Sequence, residues 1–293
     1  CAFAISVPVT VVAAVGAATR DGALVKGGAA LEALGSVRAI ALDKTGTLTR
    51  NRPTVSETVT TDGIDPRDLL RVAAALEARS EHPLAAAILA AAPTVEEATD
   101  VQAVVGHGLA GTVDGRVARL GKPGYIGAGP LDRTVAHLES EGCTVVLVEH
   151  DHRLLGAIAV RDELRSEAPT VVGALRRMGI DPIAMLTGDN SRTANAVGRD
   201  AGITDVHARL LPEEKVAAVE ALRRHHHTAM VGDGINDAPA LATADVGIAM
   251  GAAGSDVAIE TADVALLGED LNHLPQVIDH ARRAGAIMRQ NLA

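Results

Sequence analysis

The chain reads as an α/β protein, a doubly wound parallel sheet with a smaller antiparallel α+β domain inserted into it. Three observations predict this. Short apolar runs at 37–42 (VRAIAL), 182–186 (PIAML) and 228–231 (TAMV) each stop at a cluster of Gly, Asp and Thr, as strands buried on both faces of a parallel sheet do. Helical patterns at 169–178, 191–201 and 213–224 fall before and between the later runs, and strand–helix alternation is the mark of a doubly wound sheet. Between residues 52 and 160 the pattern changes to helices beside hairpin-like alternation.

Taken in order, residues 1–19 carry no charge and are almost long enough for a spanning helix, which needs roughly 20 apolar residues. A basic leader is lacking, so a signal peptide is disfavoured. A buried helix, a lipidated Cys1 and the later part of a membrane helix remain open. The run at 37–42 is the first parallel strand and ends at Asp43. Helices are expected at 66–78 and 83–92, alternating segments at 111–120 and 144–148, a helix at 131–141 and a returning strand at 154–160. The run at 245–250 (DVGIAM) adds a further strand to the parallel sheet.

Composition bounds the rest. Of 293 residues, 47% are hydrophobic and only 1% aromatic, with one Tyr, one Phe and no Trp, so the core is built from Ala, Val, Leu and Ile. A balance of 27 basic against 37 acidic residues gives −10, which argues against nucleic acid as a partner. Two cysteines, Cys1 and Cys143, cannot form a disulfide framework.

Sheets of this kind bind ligands at the carboxyl ends of their strands. The three polar motifs would therefore meet in one crevice. Asp43, followed by the flexible Thr45-Gly46-Thr47, suits a nucleophile that forms an aspartyl phosphate. Transfer of a phosphoryl group needs its charge neutralised. Asp233 can share Mg²⁺ with Asp43, Thr187 and Gly188 can donate to phosphate oxygens, and Lys215 supplies a point charge. Asn236 and Asp237 lie near enough to complete the shell. Any one motif read alone is equally a strand-ending turn.

Together DKTGTLT from Asp43, TGDN from Thr187 and GDGINDAPAL from Gly232 resemble the signature set of P-type ATPases, ion pumps whose phosphorylation domain has the haloacid-dehalogenase-like fold. The resemblance places Asp43, Lys44, Thr45, Thr187, Gly188, Asp189, Lys215, Asn236 and Asp237 at the catalytic centre. It assigns Mg²⁺ to Asp43, Thr45 and Asp233. The segment Ser80-Glu81-His82-Pro83-Leu84 resembles the nucleotide motif of the heavy-metal branch, with Glu77 before it and Gly106-His107-Gly108 after it. The resemblance thus implies ATP bound by Glu77, Ser80, Glu81, His82, Pro83, Gly106 and Gly108. The expected Gly-Asn of that domain is here Gly121-Lys122. A His before a helix-opening Pro is also an ordinary cap. Relatives that act as phosphatases carry a second Asp two places after the nucleophile. Here that position is Thr45, which cannot readily deprotonate water.

The same resemblance organises the ends. Residues 1–19 match the end of a Cys-Pro-Cys membrane helix with Cys1 as a soft ligand for the transported ion, 20–35 match a connecting segment through Lys26-Gly27-Gly28, and 271–293 match the entry to the next membrane helix. Residues 36–51 and 162–270 then form the phosphorylation domain and 52–161 the nucleotide domain. The implied function is ATP-driven export of a heavy-metal cation, leaning to a divalent ion. Most of the chain would lie on the cytoplasmic side of the cell membrane. The actuator domain with its TGE loop is absent from this sequence. A soluble phosphatase and a nucleotide-binding module without turnover are the competing readings. Cys143, Glu149-His150-Asp151-His152 and His225-His226-His227 read as core, hairpin turn and solvated loop.

Overall fold

The computed structural model describes residues 2–80, 82–234, 237–251 and 260–292. Residues 51–163 form one compact unit, and residues 1–50 with 164–293 form the other.

The first unit in chain order, residues 1–50 with 164–293, is built on a seven-stranded sheet. Its strands are β1 (Ala23–Val25), β2 (Ala39–Asp43), β9 (Ile183–Leu186), β10 (Asp205–His207), β11 (Thr228–Gly232), β12 (Val246–Ala249) and β13 (Val264–Leu266). They lie in the order β1-β13-β12-β11-β2-β9-β10. All neighbours are parallel except β1, which runs antiparallel to β13. Every residue of β2, β9, β11 and β12 is buried, which is why those strands read as continuous apolar runs rather than alternating ones. Helices α6 (Ala168–Arg177), α7 (Ser191–Ala201), α8 (Pro212–Arg223) and α9 (Ala238–Thr243) supply the crossovers. The helix α7 is capped by Asn190, whose Oδ1 accepts from Arg192 N and Thr193 N, and it ends at the left-handed Gly202, the usual pair of helix boundaries.

Helices from both ends of the chain pack on this sheet. They are α1 (Ala2–Arg20), α2 (Gly27–Ser36) and α10 (His273–Leu292). Ala18, Leu31 and Leu34 share a core with Leu274, Val277 and Ile278. The expected connecting segment thus contains β1 and α2, with Lys26-Gly27-Gly28 leading into that helix. Among the described residues, no helix is long and apolar enough to cross a membrane.

The other unit has a six-stranded sheet ordered β3-β8-β7-β6-β5-β4, with β3 (Thr49–Thr60), β4 (Thr99–Val104), β5 (Gly108–Val113), β6 (Arg116–Gly121), β7 (Thr144–His150) and β8 (Arg153–Leu164). The alternation along β7 sorts side chains between two cores. Val146 and Val148 pack under α3 (Pro66–Glu77) and α4 (Pro83–Ala91), while Val145 and Leu147 pack under α5 (Asp132–Ser140). One expectation changes here. The segment 111–120 is not one strand, because Asp114 and Gly115 both take positive φ and form the tight turn that Asp-Gly favours between hairpin strands. The polar stretch 49–60, which no sequence pattern marked, is the long strand β3. Asp151 and His152 also have positive φ and turn β7 into β8, as the hairpin reading required.

Candidate active site

Asp43 is the last residue of β2 and pairs in register with Leu186 at the end of β9, while Leu42 pairs with Val231. The carboxyl ends of three adjacent strands therefore present Asp43, Thr187 and the Gly232-Asp233 pair at one level. The chain leaves Asp43 through a tight turn in which Gly46 has φ 77°, a conformation that glycine adopts without strain. Arg165 holds this turn. It is buried, its Nε donates to Thr47 O at 3.0 Å, its Nη2 to Gly46 O at 3.4 Å, and its Nη1 to Glu269 O. Nothing in the sequence marked Arg165, since a lone Arg after a charged strand carries no motif.

Lys215 reaches in from the first turn of α8. Its ammonium lies 2.6 Å from Asp43 Oδ1 and 2.7 Å from Asp237 Oδ1. Asp43 is 4% exposed and Asp237 1%. Burial pushes the Asp43 pKa up to about 7, helped by the charges of Asp237 and Asp233 and opposed by Lys215. Asp237 is raised in the same sense, again first by burial, and Lys215 opposes the rise. Burial works against charge on Lys215, but the two carboxylates outweigh it and raise its pKa. The ammonium is therefore charged at neutral pH, and the carboxylate cluster is short of positive charge.

That shortage tests whether the residues fit Mg²⁺, an oxygen-seeking cation. Asp237 Oδ2 is buried with no hydrogen-bond partner among the described residues. A Cβ at position 232 would sit 2.7 Å from the same oxygen, so only glycine admits it there. Asp43 and Asp237, both raised in pKa by burial and by the charge of Asp233, and the orphaned Asp237 oxygen fit a divalent cation. Each added positive charge would lower the Asp43 pKa and favour its nucleophilic form.

Around this centre, Thr187 is buried and its Oγ1 accepts from Asp189 N at 3.1 Å. Gly188 is exposed at the turn. Lys44, also buried, pairs with Asp189 at 2.7 Å. Its ammonium is thus tied to the carboxylate of the TGDN motif, which spacing alone did not reveal. Asn236 lies outside the described residues, as do Glu81 and Cys1.

The second unit holds a cavity of about 340 Å³ lined by Glu77, Ser80, His82, Gly106, Gly108 and Lys122 among others. His82 caps α4, with Nδ1 accepting from Leu84 N at 3.2 Å. A ring that accepts at Nδ1 carries its proton on Nε2, so the cap and a ligand contact use different nitrogens. Glu77 is 5% exposed with Oε2 unpartnered among the described residues, and burial raises its pKa while Ser80 and His82 oppose the rise. Added Cβ atoms at Gly108 and Gly121 would strike Leu120 O at 2.0 Å and His107 O at 2.6 Å, so β5 and β6 approach more closely than side chains permit. Pro83 departs from the expected set. It opens α4 at its first turn and lines a different groove, with Asn51 to Val55.

A description of haloacid dehalogenase-like hydrolases matches residues 37–245. The chain belongs to this family. Within it, the chain is 63% identical over 292 residues to the probable cation-transporting ATPase G of Mycobacterium tuberculosis, covering all of this chain and 38% of the relative. It is 40% identical over 307 residues to a probable cadmium-transporting ATPase of Staphylococcus aureus, covering all of this chain and 42% of that protein. Among solved structures, a zinc-transporting PIB-type ATPase in its E2.Pi state superposes with TM-score 0.77 at 45% identity, over 99% of this chain and 48% of that one. The catalytic domain of the CPx-ATPase CopB superposes with TM-score 0.71 at 26% identity, over 90% of this chain and 98% of that one. This haloacid dehalogenase-like chain therefore resembles the catalytic part of PIB-type ATPases along nearly its whole length, and it spans less than half the length of the curated relatives. Among the described residues, no group of three or more His, Cys, Asp or Glu side chains is placed to hold a metal ion by itself, so a cation at the strand ends would also need phosphate or water as ligands. Cys143 is buried, as its reading as core expected. His227 is an exception to the solvated-loop reading, because its Nδ1 lies 3.6 Å from Asp245 and its Nε2 is buried.

Proposed function

We propose that this chain is the ATP-handling part of a heavy-metal-exporting P-type ATPase, taking the γ-phosphoryl group of ATP onto Asp43. The observation that carries the reading is the Lys215 ammonium between Asp43 and Asp237 at the strand ends. The cavity around Glu77, Ser80, His82, Gly106 and Gly108 receives the adenine, and the sequence motif assigns Glu81 to the same task. An Asp43 carboxylate oxygen attacks the γ-phosphorus, the bond from that phosphorus to the bridging oxygen breaks, and ADP leaves. Lys215 offsets the negative charge that gathers as the phosphoryl group arrives, and Thr187 and Gly188 donate to its oxygens. Lys44, braced by Asp189, adds a second positive charge beside the nucleophile, and Asn236 and Asp237 complete the surround. Asp43, Thr45 and Asp233 would hold Mg²⁺, which when bound neutralises phosphoryl oxygens.

Thr45 favours a pump over a phosphatase, since it is no general base for water. The names of the relatives, cation and cadmium transporters, and of the zinc-transporting neighbour point the same way. In the intact protein we assign residues 36–51 and 162–270 to the phosphorylation domain and 52–161 to the nucleotide domain. Residues 1–19 and 271–293 join membrane helices, with Cys1 a ligand to a soft cation and an actuator domain elsewhere in the protein. This places most of the chain on the cytoplasmic face. A pulse of MgATP followed by a chase tests it. The label should persist on the protein for many turnovers of an ordinary phosphatase, and p-nitrophenyl phosphate should be hydrolysed poorly. Rapid release of label with brisk ester hydrolysis would instead favour the phosphatase.

A further inference from the structure

At the amino edge of the parallel sheet, opposite Asp43, a cleft of about 530 Å³ lies between the ends of α2 and α6 and the face of α10. Arg38, just before β2, lines it together with Arg282 and Arg289 of α10, and Glu32 is the one acidic residue in its wall. Gly35 lets α2 and α10 close on each other, since a Cβ there would come within 3.1 Å of Ala281 O.

Arg282 is fixed. Its Nη1 donates to Met178 O at 2.5 Å and its Nη2 to Val37 O at 2.9 Å, carbonyls at the C-terminal ends of α6 and α2. Its Nε is buried without a partner among the described residues. Burial and the neighbouring charge of Arg38 both lower its pKa, so two like charges are held side by side. Among the described residues no carboxylate pairs with Arg38, Arg282 or Arg289, and the nearby Asp279 is engaged by Arg283 at 2.6 Å. Each helix end contributes about half a negative charge. Those two ends, the C-terminal end of α10 with Arg289 in its last turn and Glu32 offset about two and a half of the three arginine charges. In a chain of net charge −10, the positive remainder favours an anion in the cleft.

We propose that this cleft binds a phosphate-bearing anion, either free or as the headgroup of a lipid, through Arg38 and Arg289 with Arg282 as the anchored third charge. Guanidinium groups match phosphate oxygens in bidentate geometry, and both Arg38 and Arg289 are exposed on the cleft wall. The site stands apart from the ATP reaction and does not depend on it.

The test uses the chain carrying Asp43→Asn, with two probes. Inorganic phosphate is titrated calorimetrically, and flotation is measured with vesicles of phosphatidylcholine alone or mixed in equal parts with phosphatidic acid. Affinity for one probe should fall at least about tenfold in the Arg38→Gln, Arg289→Gln double variant, the size expected for losing charge-assisted hydrogen bonds. Glu32→Gln should tighten the same binding, an outcome that misfolding cannot mimic. A response to phosphate in solution identifies a free anion, and a response confined to the acidic vesicles identifies a headgroup. Binding to neither probe, or equal binding by the double variant, would overturn the proposal.

Discussion

An ammonium held 2.6 Å from one buried carboxylate and 2.7 Å from another is a charge arrangement with little structural economy of its own. Burying such groups is costly even when paired, so its use lies in the charge it brings to Asp43. Replacing Lys215 by Ala should lower phosphorylation by about 100-fold or more, the size seen when one preorganised electrostatic group is lost. Lys215→Arg should not restore it, since a planar fork cannot replace a point charge. Measured rates of label incorporation decide this, and near-wild-type incorporation by Lys215→Ala would remove the residue from the chemistry. Gly232→Ala should also suppress labelling, because its Cβ would displace Asp237. Glu77 gives a signed pH effect. Its folded pKa is raised, so the stability it confers is full below the ordinary carboxylate range and is lost as pH rises through the raised value. Glu77→Gln should therefore gain stability over wild type on going from pH 5 to pH 8 while binding ATP less well. A stability difference that does not change with pH would contradict this.

Elements place these residues, and elements differ in how far the sequence reveals them. The ends of β2, β9 and β11 were legible because a strand buried on both faces must be apolar until its last residue, so the first Asp, Thr or Gly marks the exit. The long strand β3 was hidden because most of it is exposed or half-buried and carries Arg50, Asn51, Arg52 and Pro53, which weaken any strand pattern. The role of Arg165 was hidden for another reason, since its partners are backbone carbonyls more than a hundred residues away. His82 shows how a cap and a ligand contact coexist. His82→Asn keeps a capping oxygen but lacks Nε2, so it should unfold like wild type and bind ATP more weakly. Equal affinity by calorimetry would leave His82 as a cap alone. The helix α10 belongs to the sheet's core, with Ile278 fully buried. Ile278→Ala should cost about 2–5 kcal/mol in denaturant unfolding, whereas an α10 held only by a membrane would show no such loss.

On the scale of the molecule, an aromatic-poor chain has built the cores of both units from small aliphatic residues and kept its polar residues for the strand ends and the nucleotide cavity. The chain passes from the first unit into the second at residues 50–51 and returns at 163–164. Family membership follows from the match over residues 37–245, and the chain spans less than half the length of the curated relatives it matches. The central claim is the phosphorylation of Asp43 by ATP. Its most direct test is to incubate the chain with MgATP labelled in the γ-phosphate, quench in acid and map the labelled peptide. The account predicts an acid-stable, hydroxylamine-sensitive phosphate on Asp43 that is absent in Asp43→Asn. No label in the wild-type chain, or label that survives in Asp43→Asn, would contradict it.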